Sequence, residues 1–426
     1  MMTITLFAIF FILLAAGVPI VFAIGTGTAA ALLLGGVPLE ILPQKIFTGL
    51  EHFPYLAVPL FVLAGMLMES GGISKRIVDL ANGLVGHIRG GMGMVVMVAT
   101  IFFSDISGSS AADTAAIGGV MIPAMKKRGY AANFSAALVT AAGGMGVLIP
   151  PCLSMVVFGS LTDTSIGALF LAGFVPGISM GLILMLLTYI IARRNNFPSE
   201  PRPTFKGFVK ISKRSALSLF MGVIIMGGII LGIFTATEAA AVAVMYGFFL
   251  SVCFYREIKF SQLPQILWKA GVISGIVMLV VGISYAFGWV LAKDDIPLKL
   301  ANLLLSIPGG KWVFLLSVNM LGLAMGMFFD ASLATVILVP ILFPVAVKLG
   351  VHPVHFGIFF VMNHGVGFTT PPYGLSLFIA AGIAKVPMTS ILKPLLPYIL
   401  TMIGFLLVVT YVPWFSMVLP RLFMGY

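Results

Sequence analysis

Apolar residues outnumber polar ones in run after run along this chain. Residues 6–24 and 217–234 each approach the ~20 consecutive apolar positions that cross a bilayer as helix. Such runs recur to the C-terminus. They predict full crossings near 4–23, 25–43, 54–70, 132–160 and 167–192, then near 216–235, 236–254, 264–291, 355–384 and 391–418. That is about five per half of an all-α polytopic membrane protein. The longest polar segment, 193–214, contains Pro198, Pro201 and Pro203. It reads as the linker between a first repeat, 1–205, and a second, 206–426. The first apolar run has no basic residue before it and leads straight into a second run, so it is not expected to be a cleaved signal.

Two segments break the pattern. Basic residues cluster at Lys75, Arg76 and Arg89, at Lys126, Lys127 and Arg128, from 193 to 214, and at Arg256 and Lys259. The positive-inside rule places all of these on the cytoplasmic side. Between Arg89 and Lys126 the chain must therefore enter the membrane and return. "SDISGSSAAD" (104–113) is too polar to face lipid there. A re-entrant hairpin fits, because irregular backbone at that depth is tolerated only inside protein or along a cavity. Lys311 and Lys348 flank a second segment of this kind, around "GMFFDAS" (326–332).

Each hairpin is followed by an apolar run broken by a proline pair, Pro150-Pro151 in "GVLIPPCLS" and Pro371-Pro372 in "GVGFTTPPYG". One offset relates Pro150 to Pro371, Gly146 to Gly367, Pro123 to Pro344, Gly129 to Gly350 and Lys127 to Lys348. "GTGTAAAL" (25–32) loosely echoes "TATEAAAV" (235–242). An odd number of crossings per repeat inserts the second copy upside down. Inverted repeats with interrupted helices are the signature of secondary transporters whose site lies at the midplane.

Composition narrows this further. The chain of 426 residues is 60% hydrophobic and 9% charged, against about a quarter charged in soluble domains. Its net charge of +11 sits in short loops and reads as a cytoplasmic face on the lipid bilayer, with no nucleic-acid partner. Cys152 and Cys253 are isolated, and Gly309-Gly310-Lys311 runs into Trp312. Neither a disulfide framework, a zinc site nor a phosphate-binding loop for ATP is expected. No hydrolytic constellation stands out, so the protein is not expected to be an enzyme.

The breaks carry the candidate chemistry. Proline lacks an N–H and blocks the helical bond behind it. Two prolines after glycines unwind a turn, and carbonyls of the preceding turn are expected to lose their partners and face inward. Carbonyl and hydroxyl oxygens are hard ligands suited to Na⁺. The first tip adds Ser104, Ser107, Ser109 and Ser110, and the second adds Gly326, Asp330 and Ser332. Two readings fit the serines, as ligands or as caps of the following helix. Asp330 is the sharper case, since a carboxylate at mid-membrane costs roughly 2.5–3.5 kcal/mol even on lenient scales. It too could cap a helix. Asp105 and Asp113 suit an organising role at the first tip, and Glu238 suits the first turn of a helix. His364 reads as a packing or hydrogen-bonding residue, and the 25 methionines as adaptable packing.

Taken together, "SGSSAADTAAIGGVMIPAMKKRGY", "GVLIPPCLSMVVFG", "SIGALFLAGFVPG", "TATEAA" and "GMFFDASLATVILVPILFPVAVKLGV" with "TTPPYG" resemble the large membrane subunit of tripartite ATP-independent periplasmic (TRAP) transporters. The likeness covers nearly the whole chain. It implies an elevator-type ion-transporter fold in the bacterial inner membrane. It also implies Na⁺-driven import of an organic acid anion, of the C4-dicarboxylate or sialic acid class. The implied partners are a small membrane subunit, expected as a separate chain, and a periplasmic substrate-binding protein. One Na⁺ site would fall on Ser104, Ser107, Gly146 and Ile149, the latter two through carbonyls, and another on Gly326, Gly367 and Thr370. Substrate contacts would fall on Ser109, Ser154 and Asp330. The amphipathic stretches 73–85 and 296–306 would be arms joining a scaffold to a moving domain. The rival reading is a stand-alone proton- or sodium-coupled anion permease, for which His364 and Asp330 would form the titrating pair.

Overall fold

The computed structural model describes residues 2–195, 197, 199, 201–202, 204–329 and 331–426. All regular structure among them is helical. Eight of these helices are long and apolar enough to cross a membrane, by length and composition. The ten-span expectation differs from this for physical reasons. The runs 132–160 and 355–384 are each two shorter helices, Ala132–Gly146 with Leu153–Thr162 and Pro353–Gly367 with Leu375–Ala384. Conversely, Gly310–Phe328 and Ala331–Lys348, the arms of the second hairpin, both pass the criterion. Their length alone does not force a re-entrant path. In the first hairpin, Gly91–Ser107 is shorter, with 17 residues, and the other arm is Ser110–Lys127.

The N-terminal boundaries also moved. The first helix is Met2–Ala15 and the second Ile20–Leu34, with the turn at Gly17 and Pro19 rather than near Gly25. Gly17 takes a left-handed φ of 79°, which suits glycine. Gly27 lies inside the second helix, where a Cβ would sit 3.0 Å from the Leu6 carbonyl. Its smallness lets two helices approach closely. The "GTGTAAAL" echo is therefore not positional: it lies mid-helix, whereas Thr235 caps the start of Ala236–Phe248 in a capping box with Glu238.

The order of elements repeats. An amphipathic arm (Ile73–Val85; Ile296–Leu305), a helical hairpin, and a broken helix follow one another twice. The broken helices match segment for segment, with 15 and 10 residues in each. Both proline pairs, Pro150-Pro151 and Pro371-Pro372, are cis.

Around this centre, Ala57–Ser70 packs on Ala236–Phe248 and Ile41–Leu50 packs on Leu263–Lys293. The main hydrophobic core draws on both halves. The Phe158 ring, for example, packs against Phe343, Phe356 and Phe360. The outer helices leave Phe22, Leu182, Leu186, Phe220, Trp268 and Ile276 exposed, an apolar girdle that suits lipid rather than water.

The two broken helices cross at Gly144 and Gly365, positions related by the repeat offset. The contact is reciprocal: a Cβ on Gly144 would strike the Gly365 carbonyl, and one on Gly365 would strike the Gly144 carbonyl. Because backbone cannot swing aside as a side chain does, Gly144→Leu and Gly365→Leu should each destabilise the fold by about 1–3 kcal/mol or more. Gly119→Ala, where a Cβ meets nothing within 4 Å, should leave stability unchanged or slightly raised. Thermal unfolding in detergent measures the difference. Equal midpoints for the three variants would contradict the crossing.

Candidate functional site

The site forms where helices stop. Gly91–Ser107 and Ala132–Gly146 end beside each other, and Ser110–Lys127 and Leu153–Thr162 begin there. Gly108 turns the first tip in a left-handed conformation, φ 63°. A Cβ on Gly108 would sit 2.6 Å from the Pro151 carbonyl. The Leu153 N–H, just past the proline pair, donates to the Gly108 carbonyl at 3.3 Å. In the second half, the Gly374 N–H, also just past its proline pair, donates to the Met327 carbonyl at 3.0 Å. Each tip is thus bonded to its own break.

At the first junction the chain gathers four oxygen-bearing residues. Ser104 Oγ donates to one oxygen of the buried Asp113 carboxylate at 2.5 Å. Ser107 Oγ donates to the other. Gly146 closes the knot, since a Cβ there would strike both Asp113 Oδ2 and Ser104 Oγ. Three residues anticipated together, Ser104, Ser107 and Gly146, do converge. Asp113, taken from sequence only as an organiser of the tip, stands at their centre. The signal was its place in the first turn of the helix opening at Ser110, which points its side chain back over the tip. Ile149 is buried nearby, and its N–H donates to the Gly146 carbonyl at 3.0 Å.

That last bond corrects an expectation. The carbonyls ahead of each break do not lose every partner. Leu148 and Ile149 N–H groups bond the Met145 and Gly146 carbonyls, and Thr369 and Thr370 N–H groups bond those of Val366 and Gly367. The last turn tightens, as helix ends commonly do. A carbonyl has two lone pairs, so the Gly146 and Gly367 oxygens keep acceptor capacity, whereas the Val366 oxygen is filled by the Thr369 and Thr370 hydroxyls as well.

The second junction is built differently. Gly326 and Gly367 lie backbone to backbone, where a Cβ on Gly326 would sit 3.0 Å from the Gly367 and His364 Cα atoms. The Thr370 hydroxyl turns back to the Val366 carbonyl at 2.8 Å, as Thr369 does at 2.7 Å. Ser332 is buried on the following helix. Asp330 lies outside the described residues. His364 Nδ1 donates to the Phe360 carbonyl at 2.8 Å, and the ring packs on that of Phe360.

Ser109 and Ser154 occupy helix starts. Ser109 is the N-cap residue of Ser110–Lys127, its N–H accepted by Ser107 Oγ at 3.2 Å and its carbonyl accepting from Asp113 N–H at 2.9 Å; its own hydroxyl makes no cap bond. Ser154 is buried in the first turn of Leu153–Thr162. Sequence reasoning named Ser110 at the tip but missed the layer it forms with Gly143, Thr114 and Ser376. Ser110 Oγ donates to the Gly143 carbonyl at 2.7 Å, and Thr114 Oγ1 donates to the Ser110 carbonyl at 2.7 Å. The buried Ser376 hydroxyl, which has no partner among the described residues, faces the same glycine. Asp105 points elsewhere, against Gly222 of Phe205–Ile230.

Electrostatically, each junction opposes ends of unlike sign. A helix C-terminus carries roughly −0.5 charge and an N-terminus roughly +0.5. Two C-termini meet two N-termini at the first break. Such a centre can hold a cation on one side and an anion on the other without Lys or Arg. Among the described residues no three His, Cys, Asp or Glu side chains converge as a metal site.

Two solved transporter structures share the fold. The YdaH transporter of Alcanivorax borkumensis aligns with TM-score 0.58 and 16% identity over 88% of this chain and 86% of its own. MtrF of Neisseria gonorrhoeae aligns with TM-score 0.60 and 15% identity over 87% and 83%. Sequence relatives are nearer. The C4-dicarboxylate TRAP transporter large permease of Pseudomonas aeruginosa is 39% identical over 93% of both chains. The sialic acid TRAP transporter large permease of Vibrio cholerae is 37% identical over 97% of both. The model of the tripartite ATP-independent periplasmic transporter DctM component matches residues 7–415. The chain belongs to this family, the large permease components of TRAP transporters.

Proposed function

We propose that this permease imports a small organic acid anion by Na⁺ symport, through an elevator movement of the hairpins and broken helices against the outer helices. The observation that carries the reading is the pair of junctions, each bonding a hairpin tip to a proline break and opposing helix C-termini to N-termini. Ser104, Ser107, Gly146 and Ile149, with Asp113 at their centre, would bind one Na⁺. Gly326, Gly367 and Thr370 would bind a second, chiefly through carbonyls. The donors present suit the ion, being hydroxyl, carboxylate and carbonyl oxygens.

The anion would sit on the N-terminal side of the breaks. Two helix N-termini offset about one charge, and Ser109 and Ser154 add hydroxyls there. Asp330 would accept hydrogen bonds from hydroxyl or N–H groups of the substrate. Na⁺ bound at the C-terminal ends orders both tips and lowers the cost of the anion. Coupling is then a difference in substrate affinity with and without Na⁺.

The reciprocal Gly144–Gly365 crossing and the matched order of elements support two inverted repeats, 1–205 and 206–426, with both hairpins re-entrant. If each break lies near mid-membrane, a tip bonded to it lies there too. By family, a small membrane subunit and a periplasmic binding protein complete the importer in the inner membrane. Relatives named for C4-dicarboxylate and sialic acid support an organic acid as the substrate.

Three outcomes test this. In proteoliposomes with the small subunit and a binding protein, replacing Na⁺ by K⁺ should abolish uptake. Undiminished uptake would favour a proton-coupled carrier. Asp330→Ala and Thr370→Val should each abolish uptake while inserting normally, and wild-type rates in both would remove the site assignment. Asp113→Asn keeps size but loses charge, and should raise the Na⁺ concentration for half-maximal uptake at least about tenfold, ~1.4 kcal/mol. An unchanged Na⁺ titration would confine Asp113 to a structural role.

A further inference from the structure

A second concentration of chemistry lies far from the breaks, on the face the charge rule places in the cytoplasm. An open cleft of ≈ 550 Å³ is bordered by Arg76, Lys206, Lys210, Lys213 and Arg214. The four residues of Phe205–Ile230 recur at helical spacing, so they form one face of its first turns. Among the described residues no carboxylate lines the cleft.

Arg76 is already engaged. It donates to the Gly71 and Gly72 carbonyls at 3.2 and 2.9 Å and pairs with Glu257 at 3.1 Å. Its guanidinium also stands 3.8 Å from the Tyr255 ring centroid. Lys206, Lys210, Lys213 and Arg214 have no ion pair among the described residues. Four uncompensated cations around one cleft repel one another, and the arrangement gains by holding an anion.

The walls identify what kind of anion. Val209, Leu217 and Phe254 line the same cleft. Phe254 is 57% exposed, and Phe220, one turn beyond Leu217, is 52% exposed. The cleft therefore opens onto the apolar girdle, as a polar headgroup with acyl chains requires. Basic pockets between helices on the cytoplasmic side are suited to anionic lipid headgroups.

We propose that this cleft binds the headgroup of an anionic phospholipid carrying two phosphodiesters, of the cardiolipin type. Four free cations match two phosphates better than one. The site also joins two parts of the molecule. Arg76 belongs to the Ile73–Val85 arm, and Ser215 of the Phe205–Ile230 helix donates to the Arg76 carbonyl at 2.8 Å. A lipid here fastens the arm that leads into the first hairpin to an outer helix.

Native mass spectrometry of the protein in its purified assembly tests this directly. Cardiolipin should be retained as about one molecule per chain after delipidation and back-titration, phosphatidylglycerol less, and phosphatidylcholine not at all. K206Q/K210Q/K213Q should weaken cardiolipin retention at least tenfold. K126Q/K127Q, which removes charge from a different basic cluster, should retain it as wild type does. Equal retention in the two variants, or equal retention of phosphatidylcholine, would overturn the proposal. So would displacement of cardiolipin by an equimolar amount of inorganic pyrophosphate, which would mark a site for a soluble phosphate.

Discussion

Hydrocarbon offers no water to a helix end. A backbone group left unpaired there costs several kcal/mol. This chain stops two helices within its buried core, and the rest of its centre answers that cost. Carbonyls at each stop keep one bond by tightening the last turn. N–H groups past each proline pair reach across to a hairpin tip. Glycines at Gly144, Gly326, Gly365 and Gly367 let backbone meet backbone, and Gly146 lets backbone meet the Asp113 carboxylate and the Ser104 hydroxyl. What remains unsatisfied is acceptor capacity on one side of each break and helix N-termini on the other. A cation and an anion are the partners that fit.

The two junctions solve the same problem with different atoms. At the first, hydroxyls and a carboxylate converge on a glycine. The positions that the repeat offset equates with Ser110 and Asp113 are Ala331 and Ala334 in the second half, where the close contact is backbone on backbone. A carboxylate-centred cage draws a cation through full charge, whereas a carbonyl cage depends on geometry and partial charge. The two proposed ion sites, being of unequal chemistry, would give two unequal dependences on ion concentration.

The sequence disclosed the breaks because proline and glycine leave an unmistakable mark in an apolar run, and the offset between Pro150 and Pro371 disclosed their pairing. It also delimited the arms, but not the linker: the stretch read as 193–214 already turns helical at Phe205, in the Phe205–Ile230 helix, because its basic residues lie along one helical face. It misplaced the N-terminal turn because a glycine in an apolar run can end a helix or pack one against another, and only tertiary contact decides between them. Gly17 does the first and Gly27 the second. Asp113 was undervalued for a related reason. Spacing shows that it follows the tip by one turn, but not that Ser104 and Ser107, on the preceding arm, both turn their hydroxyls to it. Contacts between halves, such as Ser376 beneath Gly143, leave no local signal at all.

Those contacts between halves bear on how the centre can move. Leu153–Thr162, the second segment of the first broken helix, packs on Ala331–Lys348 of the second hairpin. Leu375–Ala384, its counterpart, packs on Ser110–Lys127 of the first hairpin and on Ala132–Gly146. Each break is thus bonded to its own tip while its following segment is held by the other half. Displacing one hairpin alone would separate it from a helix of each repeat and expose the glycine crossing between them. The proposed elevator movement would therefore keep both hairpins and both broken helices together and shear only their contact with the outer helices. Under the proposed sodium symport, an ion ordering one tip would act on the other through this packed backbone.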